Sequence, residues 1–296
     1  MLRRLCSILV ICGLVLSIPD GIDDNDDEPT VRFLISLSHG TLVICGGGEI
    51  SDDVMHEFVD AAGGKEARVV VITTASETAD SDEVEEELEF WREQTLTRLT
   101  VLYTRSRETA DDPDFARPLA DATGVWFIGG EQAWLADTYL GTVSEQMIKA
   151  VMQRGGVVGG TSAGAAIMSS VMIRKGETNP EIGRGFGLLP GTVIDQHFLA
   201  RNRQDRLLGT LAARPGLVGL GIDEGAAIVV RGCRLSVVGD SHVVTCISQS
   251  AGRPQQLETL KPGAQANLLK LSLSANKPQK SRTTFRVAAY DSSGGD

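Results

Sequence analysis

From residue 41 onward, short apolar runs rich in Val, Ile and Leu alternate with longer stretches in which apolar positions recur at helical spacing. The runs at 42–45, 68–73, 100–103, 124–128, 157–158 and 218–222 predict strands. Several are apolar throughout rather than at every second position, which is the pattern of strands buried on both faces of a largely parallel sheet. The intervening stretches predict helices over 54–62, 82–98, 133–139, 142–154, 163–171 and 201–214. Alternation of the two kinds predicts an α/β fold, a largely parallel sheet between helices. Beyond residue 222 the strands come closer together, with turn signals at Arg231-Gly232 and Gly239-Asp240 that predict antiparallel hairpins closing the domain. No internal repeat and no second apolar core appear, so a single domain over 41–276 is expected.

The two ends read differently. Met1-Leu2-Arg3-Arg4 and the apolar run at 5–18 match the basic head and hydrophobic middle of a secretory signal, expected over 1–19. The run is too short for a comfortable membrane span. Export to a periplasmic or extracellular site is therefore expected, with no stable span after cleavage and an uncleaved anchor as the alternative. Residues 20–40 form an acidic linker and the first strand region, and 277–296 a polar tail without periodicity. Of five cysteines, Cys6 and Cys12 would leave with the signal. An oxidising compartment permits a bridge between Cys233 and Cys246 across the Gly239-Asp240 turn, with Cys45 free; two reduced strand cysteines are the alternative.

Charge narrows the partners. A formal net charge of -11 argues against a general nucleic-acid binder, which needs a Lys/Arg surface to neutralise phosphates. Within this acidic chain Arg201, Arg203, Arg206 and Arg214 crowd one short stretch.

The strongest chemical signal is Gly160-Thr161-Ser162-Ala163-Gly164, set between a predicted strand and a predicted helix. Small residues flanking a serine at a sharp strand-to-helix turn form a nucleophile elbow, and the helix N-terminus behind it offers N–H groups to an oxyanion. A serine hydroxyl needs a base to accept its proton. Of the four histidines, His197 alone follows a strand-like segment, where the ends of an open α/β sheet meet the ligand crevice. An acid to orient the imidazole could be Asp195, Asp223 or Glu224. The Ser, His, acid order departs from that of the α/β-hydrolases. Gly46-Gly47-Gly48 lacks dinucleotide spacing and predicts a tight strand-end turn. No cluster has metal-ligand spacing, so neither metal nor cofactor is expected.

Together, Cys45-Gly46-Gly47-Gly48-Glu49, Ile72-Thr73-Thr74-Ala75-Ser76, Phe127-Ile128-Gly129-Gly130-Glu131-Gln132, the Ser162 elbow, Gly187-Leu188-Leu189-Pro190 leading to Asp195-Gln196-His197-Phe198, and Gly221-Ile222-Asp223-Glu224 occur in one order. In these landmarks the chain resembles the cyanophycinase-like serine peptidases of family S51, which include aspartyl dipeptidase and share the class I glutamine amidotransferase-like fold. The resemblance runs over about residues 42–271. It implies a catalytic set of Ser162, His197 and Glu224, with an oxyanion hole from the amides of Gly130 and Ala163. It assigns Gln132, Asp195, Gln196, Arg201, Arg203 and Arg206 to the substrate pocket, where guanidinium groups would pair with carboxylates of a β-aspartyl peptide or polymer; a solvated helix face is the other reading of the arginines.

One departure stands out. After Gln132 the chain reads Ala133-Trp134-Leu135-Ala136-Asp137, where polymer-degrading relatives tend to present a basic residue. This leaves a related dipeptide, α-aspartyl ones included, as an alternative substrate. An inactive exported binding protein of the same fold is the non-enzymatic alternative, a Cys-dependent amidotransferase is disfavoured because no cysteine occupies the elbow, and a homodimer is left open.

Overall fold

The computed structural model describes residues 7–11, 14–18, 39–249 and 254–276. Strands β1 (Ser7–Ile11) and β2 (Leu14–Ile18) pair as an antiparallel hairpin. The chain then runs through β3 (Thr41–Cys45), α1 (Asp52–Ala61), β4 (Arg68–Ile72), α2 (Val84–Glu93), β5 (Arg98–Leu102), β6 (Gly124–Phe127), α3 (Gln132–Tyr139), α4 (Val143–Gln153), β7 (Val157–Thr161) and the single-turn α5 (Ala163–Ala166). After these come β8 (Ser169–Lys175), β9 (Glu181–Arg184), β10 (Leu189–Gln196), α6 (Gln204–Ala213), β11 (Val218–Ile222), β12 (Ala226–Arg231), β13 (Arg234–Gly239), β14 (Val243–Ile247), β15 (Gln256–Leu260), β16 (Gln265–Asn267) and α7 (Leu268–Ala275). The expected leader coincides with the β1–β2 hairpin; most of the acidic linker and the tail at 277–296 lie outside the described residues. Among the described residues no helix is long and apolar enough to cross a membrane.

An eight-stranded sheet in the order β16-β13-β12-β3-β7-β6-β4-β5 forms the centre, with β3, β7, β6, β4 and β5 parallel. Its apolar runs are explained by cover on both faces. Leu42, Ile44, Val70, Ile72 and Phe127 point into one core cluster, and their neighbours Val43, Cys45, Val69, Val71 and Trp126 into another. Helices α1 and α2 close the second face, where Phe58 meets Trp126 and Trp91 edge-on with centroids 5.1 and 5.4 Å apart. The offset edge-to-face geometry suits the quadrupoles of the rings.

The largely parallel sheet between helices and the antiparallel C-terminal strands are as expected. A second, six-stranded sheet runs β15-β14-β11-β10-β8-β9, and its residues Ile194, Leu220 and Ile222 join the first core cluster. Helix α6 covers the other face of that sheet with Leu207 and Leu211 on Val193, Phe198, Val244 and Cys246. The helix expected over 163–171 ends after one turn, and β8 begins at Ser169. From there Val171 and Ile173 favour the pleated strand, and the Ser169 hydroxyl donates to Ala166 O at 2.7 Å, closing the turn.

The expected Cys233–Cys246 bridge does not form, and Cys246 is a buried free thiol, as is Cys45. Gly239-Asp240 is not a hairpin turn. The chain changes sheet there, leaving Cys233 in the turn between β12 and β13 while Cys246 lies opposite Gly219 in the six-stranded sheet. Burial pushes the Cys246 thiol up to about 12.

Candidate active site

The elbow follows from where β7 ends. Ser162 adopts φ 51° and ψ -106°, a conformation L-residues rarely take, and its amide donates to Cys45 O on the adjacent β3 at 3.1 Å. Gly164 must be small because a Cβ there would stand 2.4 Å from Phe127 O.

His197 lies just past β10, at the end of the six-stranded sheet, where its backbone meets the glycine loop that follows β3 of the eight-stranded one. It too has positive φ, 49°, and its amide donates to Gly46 O at 2.7 Å. Its Nε2 is 2.9 Å from Ser162 Oγ and its Nδ1 2.6 Å from Glu224 Oε1. A carboxylate facing Nδ1 fixes the tautomer with the proton on that nitrogen, so Nε2 accepts from the serine hydroxyl. Burial pulls the imidazole below its ordinary value of 6.5; the Glu224 hydrogen bond opposes this, and the positive charge of Arg201 adds to the lowering. The ring is therefore neutral, and able to accept a proton, at neutral pH.

The glycine run after β3 is the joint of this assembly. Ser162 bonds to Cys45, His197 to Gly46, and Gly225, next to Glu224, donates to Gly47 O at 3.0 Å. A Cβ on Gly47, whose φ is +103°, would stand 2.3 Å from His197 Cε1, and one on Gly48 2.8 Å from Glu224 Cβ. The run was expected as a tight turn, and its contacts with all three side-chain segments had no signal in the chain's linear order.

Glu224 is two residues beyond β11. Its neighbour Asp223 acts on the backbone instead. Asp223 Oδ1 accepts from the amides of Leu199 and Ala200, both at 2.9 Å, and its Oδ2 from Ser241 Oγ at 3.0 Å. Asp223 thus holds the loop that follows His197.

The backbone of Gly129 and Gly130 passes beside the serine, since a Cβ on Gly129 would lie 3.7 Å from Ser162 Cβ. Gly130 takes φ +122°, and Glu131 N donates to Ala75 O at 2.8 Å, which fixes this turn against the strand-end loop after β4. Ala163 opens α5 directly behind Ser162.

The remaining expected pocket residues pair largely with one another. Arg206 closes a two-pronged pair on Asp195, with Nε 3.1 Å from Oδ2 and Nη2 on Oδ1. Asp195 is 1% exposed; burial raises its pKa and the Arg206 hydrogen bond opposes the rise. Arg203 Nη1 donates to Gln196 O at 2.9 Å and to Gln196 Oε1 at 2.5 Å. Gln132 Nε2 donates to Ile173 O and Arg174 O at 3.0 and 2.8 Å, tying α3 to β8. Arg201 is exposed. A buried carboxylate or guanidinium needs such partners, so the side chains of Asp195, Gln196 and Arg206 serve first to organise the arginine cluster.

One cation was missed. Arg105, from the loop after β5, donates to Ser76 O at 2.7 Å and lies 3.9 Å from the ring centroid of Trp134 on α3. It brings a positive charge to the start of the helix that lacks a basic residue after Gln132.

The family model for peptidase family S51 matches residues 41–238, which contain Ser162, His197, Glu224 and the arginine cluster. The chain belongs to peptidase family S51. It is 30% identical over 224 residues to a cyanophycinase of Geminocystis herdmanii, covering 71% of this chain and 81% of the relative. It is 29% identical to a cyanophycinase of Trichormus variabilis, covering 68% and 72%. Among solved structures, a peptidase from an acI-B1 actinobacterium aligns with a TM-score of 0.56 at 26% identity, over 78% of this chain and 98% of that one. The chain is thus a peptidase hydrolase of this family.

Proposed function

We propose that this peptidase hydrolyses a β-aspartyl peptide or isopeptide bond through an acyl-enzyme on Ser162. The observation that carries the reading is the relay of Ser162 Oγ, His197 and Glu224 at 2.9 and 2.6 Å. Ser162 Oγ attacks the scissile carbonyl as His197 Nε2 takes its proton. Glu224 stabilises the imidazolium that results. The amides of Gly130 and Ala163 receive the oxyanion. His197 then donates its proton to the leaving amine, and water, activated by the same imidazole, releases the acyl group and restores the serine.

The substrate assignment rests on charge and on kinship. Relatives at about 30% identity are cyanophycinases, and Arg201 and Arg203 follow the base closely enough for their charges to act on it, where a substrate carboxylate would find guanidinium donors. The leader-like start of the chain supports export. Turnover of cyanophycin, β-aspartyl dipeptides and α-aspartyl dipeptides by wild type and Ser162→Ala tests the proposal. Cleavage of a β-linked member by wild type alone is expected; cleavage confined to α-linked dipeptides would overturn the β-aspartyl assignment, and turnover by Ser162→Ala the serine mechanism.

A further inference from the structure

The segment between β8 and β9 carries Glu177, and its carboxylate lies over the arginines that follow His197. Arg203 Nη2 and Nε reach Glu177 Oε1 and Oε2 at 2.7 and 3.3 Å, the fork geometry with which a guanidinium recognises a carboxylate. Arg206 Nη1 stands 3.5 Å from the same Oε1 and donates to Gly176 O at 3.0 Å. The exposures are opposite: the side chains of Arg203 and Arg206 are 6% and 4% exposed, that of Glu177 61%. A carboxylate facing solvent thus caps two guanidinium groups that are almost wholly buried.

The cluster has room for one such cap. The Nε/Nη2 fork of Arg206 is closed on Asp195, and Arg203 Nη1 is held by Gln196. Without Glu177, the Arg203 fork would face outward as a carboxylate receptor, while Arg206 keeps its bonds to Gly176 O and Asp195. Gln196 precedes His197 in the chain, so this receptor adjoins the base. A second carboxylate cannot share the fork with Glu177, because the donors are already filled and the like charges repel.

We infer that Glu177 is a built-in competitor, occupying in the free protein the subsite that a substrate carboxylate must take. The inference rests on the reading that the arginine cluster receives such a carboxylate. It makes the β8–β9 segment a strap that opens for each substrate. Apparent affinity is then lowered by the fraction of molecules whose strap is closed.

The test uses the full-length chain carrying Ser162→Ala, titrated calorimetrically with L-aspartate at low ionic strength. Glu177→Gln and Glu177→Ser, each checked for an unchanged melting transition, should bind aspartate about fivefold more tightly than the parent, the scale of releasing one partly exposed ion pair. Adding Arg203→Lys to Glu177→Gln should abolish the gain. Equal or weaker affinity in both Glu177 variants, or no aspartate binding by either, would overturn the inference. Aspartate binding needs no serine chemistry, so the two readings fail separately. A gain in affinity in a protein whose wild type cleaves no aspartyl peptide would sink the hydrolytic assignment alone, and turnover without the gain would sink the competitor alone.

Discussion

Gly47→Ala probes the joint that assembles the site. The added methyl would stand 2.3 Å from His197 Cε1 and 2.5 Å from Nε2, on the order of 1 Å inside ordinary van der Waals contact. The methyl is fixed by the backbone, so the imidazole must move by a comparable distance. A displacement of that size at a catalytic group costs roughly 10²-fold in rate. The backbone contributes separately, because φ +103° suits glycine, and alanine there costs about 1–3 kcal/mol of stability. The assay is the second-order rate of Ser162 labelling by a fluorophosphonate, which requires no knowledge of the substrate, accompanied by a thermal melt. Gly209→Ala is the control: it lies in α6 with nothing within 4 Å of its added Cβ, so labelling should be unchanged and stability slightly raised. A folded Gly47→Ala protein that labels within threefold of wild type would refute the argument.

Glu224→Gln should lower turnover by about 10³–10⁴-fold while leaving the fold intact, since the amide favours the wrong imidazole tautomer; near-normal turnover would remove Glu224 from the relay. The acidic limb of the kcat/KM profile should fall below pH 6.5, because burial and Arg201 hold His197 below that value, so the neutral base persists as pH drops through it. Arg201→Gln removes a positive charge, eases protonation of the ring and should move the limb upward; a downward move would contradict the assignment. Arg206→Met strands the buried Asp195 carboxylate and should destabilise the fold by about 3–5 kcal/mol in chemical unfolding, with partial recovery when Asp195→Asn is added, whereas solvated arginines would tolerate the change.

The parallel centre was legible because its strands are buried on both faces, which writes unbroken apolar runs such as Val69–Val71 into the chain. The elbow was legible for a similarly local reason: strand, turn and helix are contiguous around Ser162. The second sheet was not. Residues 169–175 follow a helical turn without a turn signal, and their pairing with β10 depends on partners some twenty residues away. The Cys233–Cys246 expectation failed on the same kind of nonlocal event, a change of sheet at Gly239-Asp240. At the site, His197 was singled out by its strand-end position, but choosing among Asp195, Asp223 and Glu224 rested on the resemblance, because all three follow apolar strands. Their different partners, Arg206, the 199–200 amides and His197, exist only once the sheets are packed. Glu177 gave no signal at all, being one carboxylate among many until the β8–β9 segment brings it onto Arg203.

The central claim is that His197 activates Ser162. It is tested most directly by treating full-length wild type, Ser162→Ala and His197→Ala with a fluorophosphonate and mapping the adduct by peptide mass spectrometry. The expected result is a single adduct on Ser162 in the wild type, its loss in Ser162→Ala, and labelling slowed by at least ~10²-fold in His197→Ala, the scale of losing a general base. An adduct on a different serine, or undiminished labelling of His197→Ala, would contradict it.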